Sequence, residues 1–168
     1  KGQIVYDIKA FDADPKIHGG KTKSDILKES SATPGWRINL IEDLPNIPRS
    51  RAGIEIGGRP QLEAGSSPRE YLGFYLDPSE DNEYRNEVGW TPEDWFAYAL
   101  HRLETTGQIT DDYEGPGSIT YLVNSYIPTD DDGPDAFWNR SPGQAYLYGN
   151  DPGDQSGDIG SRSAVRVS

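Results

Sequence analysis

Glycine or proline interrupts this chain about once every five residues, with nineteen of one and thirteen of the other in 168. Proline fixes φ and removes a backbone donor, while glycine opens positive-φ turns, so such frequent punctuation limits the chain to short elements joined by loops. A helical bundle is excluded on that ground. Period-two or compact apolar runs bounded by Gly, Pro, Asn or Asp predict strands at 3–11, 36–41, 52–56, 71–76, 118–127, 145–148 and 164–167. The predicted fold is mainly β, an antiparallel sandwich or barrel-like arrangement with long loops and one helix at 92–105; an α+β domain is the alternative.

That helix is well signalled. Thr91 is placed to cap it, Pro92 fits the first turn, Asp94 stands at the third helical position and Gly107 follows the far end. At 100° per residue Phe96, Ala99, Leu100 and Leu103 share one face with Trp95 at its edge, and this stripe is predicted to pack on the sheet. His101 and Asp94 fall on the opposite side.

A length of 168 residues fits one domain, and the 33% hydrophobic share is enough for a core. The absence of cysteine rules out disulfides, thiolate metal sites and a cysteine nucleophile. No apolar run is long enough to cross a bilayer. A formal charge of -12 repels phosphate groups, so neither nucleic acid nor membrane insertion is expected.

The charge is unevenly spread. All six lysines (Lys1, Lys9, Lys16, Lys21, Lys23 and Lys28) lie in the first thirty residues, whereas from Asp77 to Asp158 eighteen acids face only Arg85, Arg102 and Arg140. With a small-residue, Pro-Gly break at 29–35, this predicts two parts: residues 1–30 as an N-terminal arm or first strand, and 31–168 as a single acidic β-rich domain. Ile4, Tyr6 and Ile8 alternate along the arm as one strand face and are candidate subunit contacts.

Two Asp-rich loops carry candidate cation ligands, Asp130, Asp132 and Asp135 in the first and Asp151, Asp154 and Asp158 in the second. Alternating acids and glycines allow carboxylates and carbonyls to converge on Ca²⁺, the expected cofactor, although neither loop has EF-hand spacing. The same residue types favour plain turns. Between the loops, Trp138, Tyr146 and Tyr148 are candidate ligand-binding rings, because a flat apolar face with a polar edge suits a sugar or a protein partner. Over residues 135–158 the order of an Asp, an aromatic pair, a Tyr-containing strand and an Asp/Gly loop resembles the C-terminal region of type II secretion pseudopilins. That resemblance implies a calcium role for Asp151, Asp154 and Asp158 and a pilin-like subunit. Residues 3–11, however, read as a strand instead of the apolar helix such subunits carry.

Catalytic signals are sparse. Only His18 and His101 could serve as a base, and no spacing joins them to a nucleophile or metal set. Carboxylates for glycoside hydrolysis are plentiful, Glu55, Glu63 and Glu93 among them, which makes none of them diagnostic. The expectation is therefore a non-enzymatic structural or assembly subunit, extracellular or on a virion surface, stabilised by Ca²⁺ and contacting copies of itself or another protein through its arm. The competing readings are a carbohydrate-binding module with an aromatic platform, a pilin-like subunit with a C-terminal calcium loop, and a carboxylate-dependent glycoside hydrolase.

Overall fold

The computed structural model of the protein describes residues 4–6, 21–22, 25, 38–115, 117–130 and 132–167. Its longest strands, β9 (Gly133–Asn139) and β10 (Gln144–Asn150), form an antiparallel hairpin in unbroken register from Gln144 opposite Asn139 to Asn150 opposite Gly133. β9 also pairs antiparallel with β7 (Ile119–Tyr121), and β7 runs parallel to β11 (Ile159–Ser161), giving a sheet in the order β10-β9-β7-β11. A second sheet places β12 (Ser163–Val167) between β3 (Ile38–Ile41) and β6 (Glu87–Gly89), all antiparallel.

Two short ribbons complete the β structure among the described residues. β4 (Glu55–Ile56) and β5 (Arg59–Pro60) are joined by Gly57 and Gly58, whose φ of +63° and +80° make the paired left-handed turn that a two-residue hairpin requires. β1 (Val5–Tyr6) lies between β2 (Lys21–Thr22) and β8 (Ser125–Tyr126). The chain is thus mainly β, and no barrel closes among the described residues.

One predicted strand is a helix. Residues 71–76 belong to α1 (Pro68–Leu76), started by a reciprocal capping box in which the Ser67 hydroxyl takes the Glu70 N–H and the Glu70 carboxylate takes the Ser67 N–H. Its buried residues Tyr71, Leu72 and Tyr75 follow a helical period, which Tyr-Leu-Gly-Phe-Tyr-Leu satisfies as well as it satisfies a strand. The Ser-Pro-x-Glu start signal decides between them. The other helix, α2 (Pro92–Thr106), starts at the predicted cap, Thr91, with Asp94 completing the box, and stops at Gly107 with φ of +70°.

The buried face of α2 is not the predicted one. Trp95, Tyr98 and Arg102 face inward, while Phe96, Leu100 and Leu103 are exposed, Leu100 by 57%. The reason is polar. Trp95 donates its indole N–H to Asp111 Oδ2 at 2.7 Å, Tyr98 donates its hydroxyl to Asp43 Oδ1 at 2.8 Å, and Arg102 pairs with Asp43. A side chain that buries a ring and satisfies its polar tip at once outcompetes a purely apolar stripe for the inner face. Hydropathy patterning scores Arg102 as an outside residue and so rolls the helix the wrong way.

Asp111 organises this inner face. It is fully buried at φ +52° and accepts from Trp95, from Ser118 Oγ at 2.6 Å, from Thr120 Oγ1 at 2.5 Å and from Arg162 through Nη2 at 2.7 Å and Nε at 3.1 Å. Arg162 also donates to the carbonyls of Leu44 and Pro45. A buried ion pair is tolerated because hydrogen bonds of this kind compensate its desolvation.

The apolar core lies in two clusters on either side of the 119–123 segment. Tyr121 and Val123 join Val5, Leu62, Tyr71, Leu72, Tyr75 and Tyr126 under α1. Leu122 joins Trp90, Trp95, Tyr98, Ala136 and Ala164 under α2. Val5 and Tyr6 are both buried in their own chain, and the Tyr6 hydroxyl donates to Glu93 at 2.9 Å. The first strand therefore pairs within the molecule, and Tyr6 is spent on an intramolecular contact. Ile4 is half-buried beside it, and Ile8 lies outside the described residues.

Candidate ligand-binding groove

Because side chains alternate across a strand, the β9–β10 register sorts this hairpin into two faces. Asp135, Phe137 and Asn139 on β9 stand opposite Tyr148, Tyr146 and Gln144 on β10, and all six project to one side. Trp138 pairs with Ala145 and projects to the other side, against α2. The three rings singled out in the sequence are thus divided. Tyr146 and Tyr148 meet, Trp138 does not join them, and Phe137 takes the place expected of it.

The rings form a continuous ladder. Phe137 and Tyr146 are parallel within 9° with centroids 5.5 Å apart, Tyr146 and Tyr148 are 5.8 Å apart, and Tyr113 leans on Phe137 at 5.3 Å. Tyr148 is 56% exposed and Tyr113 is exposed beside it. With Ile119 and Ile159 from the parallel strand pair and the amides of Asn139 and Asn150, they enclose an open groove of about 340 Å³. That volume lies at the lower end of small-ligand sites, roughly 300–1,000 Å³.

Tyr113 is held by its backbone. Its N–H donates to the Trp138 carbonyl at 3.1 Å, and neighbouring Asp112 takes Arg140 Nε at 2.6 Å, tying the 112–115 turn to the hairpin tip. Gly117 makes this turn possible, because a Cβ there would lie 1.5 Å from the Asp112 carbonyl oxygen. The sequence showed Phe137 only as one of the aromatic pair with Trp138, and it gave no sign of Tyr113. Strand parity through a hairpin of known turn length would have found Phe137, and nothing local would have found Tyr113.

Asp135 lies at the groove floor, 1% exposed. Its Oδ2 accepts from the Asn150 amide, while Oδ1 has no hydrogen-bond partner. Burial pushes its carboxyl up to about 7; the Asn150 hydrogen bond opposes that shift and the nearby Asp132 charge adds to it. Burial also raises Tyr121 on the neighbouring strand well above the ordinary tyrosine range, reinforced by Asp135 and Asp154. Among the described residues that line the groove, Asp135 carries the only formal charge.

The six candidate cation ligands do not share a centre. Asp130 is an exposed turn residue, Asp132 packs over Gly149, and Asp135 faces the groove. In the second loop Asp151 Oδ1 takes the Gly153 N–H at 2.7 Å, Asp158 takes the Ser156 hydroxyl, and Asp154 is exposed with its carbonyl accepting from Tyr121. Among the described residues no three His, Asp or Glu side chains converge as an ion's ligands would. Glu55, Glu63 and Glu93 are also dispersed: Glu55 on β4, Glu63 taking the N–H groups of Arg51 and Gly53, and Glu93 at the start of α2.

Comparison with protein-family models, curated proteins and solved structures finds no match. The groove must therefore be interpreted through its own chemistry. No helix among the described residues is long and apolar enough to cross a membrane.

Proposed function

We propose that this chain is a binding module for carbohydrate, with the β9–β10 groove as its site. The observation that carries the reading is the ladder of Tyr113, Phe137, Tyr146 and Tyr148 on one open sheet face, with the Asn139 and Asn150 amides in the same groove. A sugar ring has apolar C–H faces and a hydroxylated rim, so it needs aromatic surface and nearby amide donors and acceptors together. The hydrolase reading draws less support, since paired-carboxylate chemistry needs two facing acids and, among the described residues, Asp135 is the one acid that lines the groove.

The test is a glycan array followed by titration calorimetry on the best binder. Tyr148→Ala is expected to weaken binding by tenfold or more, whereas Trp138→Ala, on the opposite face, leaves it within about twofold. Equal losses in the two variants, or no glycan bound at all, would remove this reading.

A second reading, an assembly subunit in an extracellular or viral particle, is favoured by a separate observation. The outward stripe of α2, together with Trp138 and Ile109, lines an almost wholly apolar groove of about 240 Å³. Surface grooves of that character mark protein contacts. In this reading the contact runs through α2 instead of the first strand.

A further inference from the structure

We infer that the groove selects a saccharide bearing a free amine, whose ammonium pairs with Asp135 while the ring ladder holds the sugar's apolar face. The inference rests on the carbohydrate reading above and names the substrate class within it. Three observations converge on it.

First, Asp135 is buried at the floor of the groove with Oδ1 unpartnered among the described residues. A buried carboxylate oxygen without a donor is costly, and a ligand that supplies a charged donor recovers that cost on binding. Second, among the described residues no cationic side chain lines the groove to compete for it. Arg140, at the hairpin tip, is already paired with Asp112. The groups that bear on Asp135 are Asp132 from the loop before β9, Asn150 on β10 and Tyr121 on β7, with Asp154 and Asp158 beyond Tyr121, and every charge among them is negative.

Third, the walls favour the same sign. Aromatic faces carry negative quadrupole density, so Phe137, Tyr146 and Tyr148 attract a cation next to their rings, more strongly where water is excluded. An N-acetylated or unsubstituted sugar uses the rings and the two asparagines and can offer Asp135 a neutral O–H or N–H donor, but it brings no positive charge to balance the carboxylate. An ammonium answers both. Binding a cation also favours the ionised form of Asp135, so affinity for an amine is expected to fall as pH drops below about 7.

The experiment compares three probes of equal length by calorimetry at 150 mM salt: glucosamine, N-acetylglucosamine and glucose oligosaccharides, against the wild type and Asp135→Asn. The wild type is expected to bind the glucosamine oligomer at least tenfold tighter than the other two, and Asp135→Asn to reduce that preference to near unity. The variant removes one charge from a chain of -12, so diffuse attraction of a polycation to the acidic surface survives it. A tenfold preference unchanged in Asp135→Asn would therefore overturn the inference. Equal binding of all three probes by the wild type would overturn it too while leaving the carbohydrate reading in place. Failure of every probe and every arrayed glycan would remove both.

Discussion

Replacing Asp135 by Asn should make the protein more stable at high pH and change little at low pH. The carboxyl is raised by burial from the usual 3.8 to about 7. Between those values the folded chain keeps a proton that the unfolded chain has lost, so stability falls as pH rises through the window and levels off above it. A shift of about three pH units, each worth about 1.4 kcal/mol, sets the destabilisation above pH 7 on the order of 4 kcal/mol. Asparagine is nearly isosteric, keeps an oxygen for the Asn150 amide and cannot ionise, so it removes that slope. Urea unfolding of wild type and variant at pH 5 and pH 8 isolates the effect. Asp43, Glu70 and Asp77 are held below the usual carboxylate range by hydrogen bonds from the Tyr98 hydroxyl and the backbones of Ser67 and Ser79 respectively; they act at lower pH and cancel between the two proteins. The variant is expected to gain several kcal/mol over wild type at pH 8 and much less at pH 5. The same stability difference at both values would refute the reasoning, because it would mean that Asp135 titrates alike in the folded and unfolded states.

Two further outcomes test other parts of the molecule. Arg162→Ala leaves Asp111 buried without its cation and strips donors from the Leu44 and Pro45 carbonyls, which should cost about 3–5 kcal/mol in a urea melt; a loss under about 1 kcal/mol would show that water takes the guanidinium's place. Leu100→Asp, on the exposed face of α2, should change stability by under about 0.5 kcal/mol, and it should lower the mass measured by light scattering only if copies associate through that face.

Much of the architecture was legible in local chemistry. Thr91, Pro92, Asp94 and Gly107 mark the limits of α2 because capping and left-handed termination depend only on residues within a turn of each other. The Ser67-Pro68-x-Glu70 signal was equally present for α1, but the compact aromatic run after it suits either period, and it read as a strand. The candidate site was legible in part. Tyr146 and Tyr148 share a face by simple alternation, whereas placing Phe137 rather than Trp138 beside them depends on the hairpin register. Asp135 stood out as an acid in an Asp-rich loop, yet its significance comes from burial, which no neighbouring residue announces.

Sequence alone determined that this chain would be mainly β with frequent turns, where α2 begins and ends, and that its field would be strongly negative. Those properties follow from backbone stereochemistry and formal charge, which act over a few residues or over the whole chain. Only the tertiary structure decided which face of α2 turned inward, that the first strand closed onto its own body, and that Tyr113 came to lean on Phe137 in the groove that holds the buried Asp135 carboxylate. Each of those outcomes depends on a polar tip or a ring finding a partner far along the chain, and hydropathy patterns do not record where such partners lie.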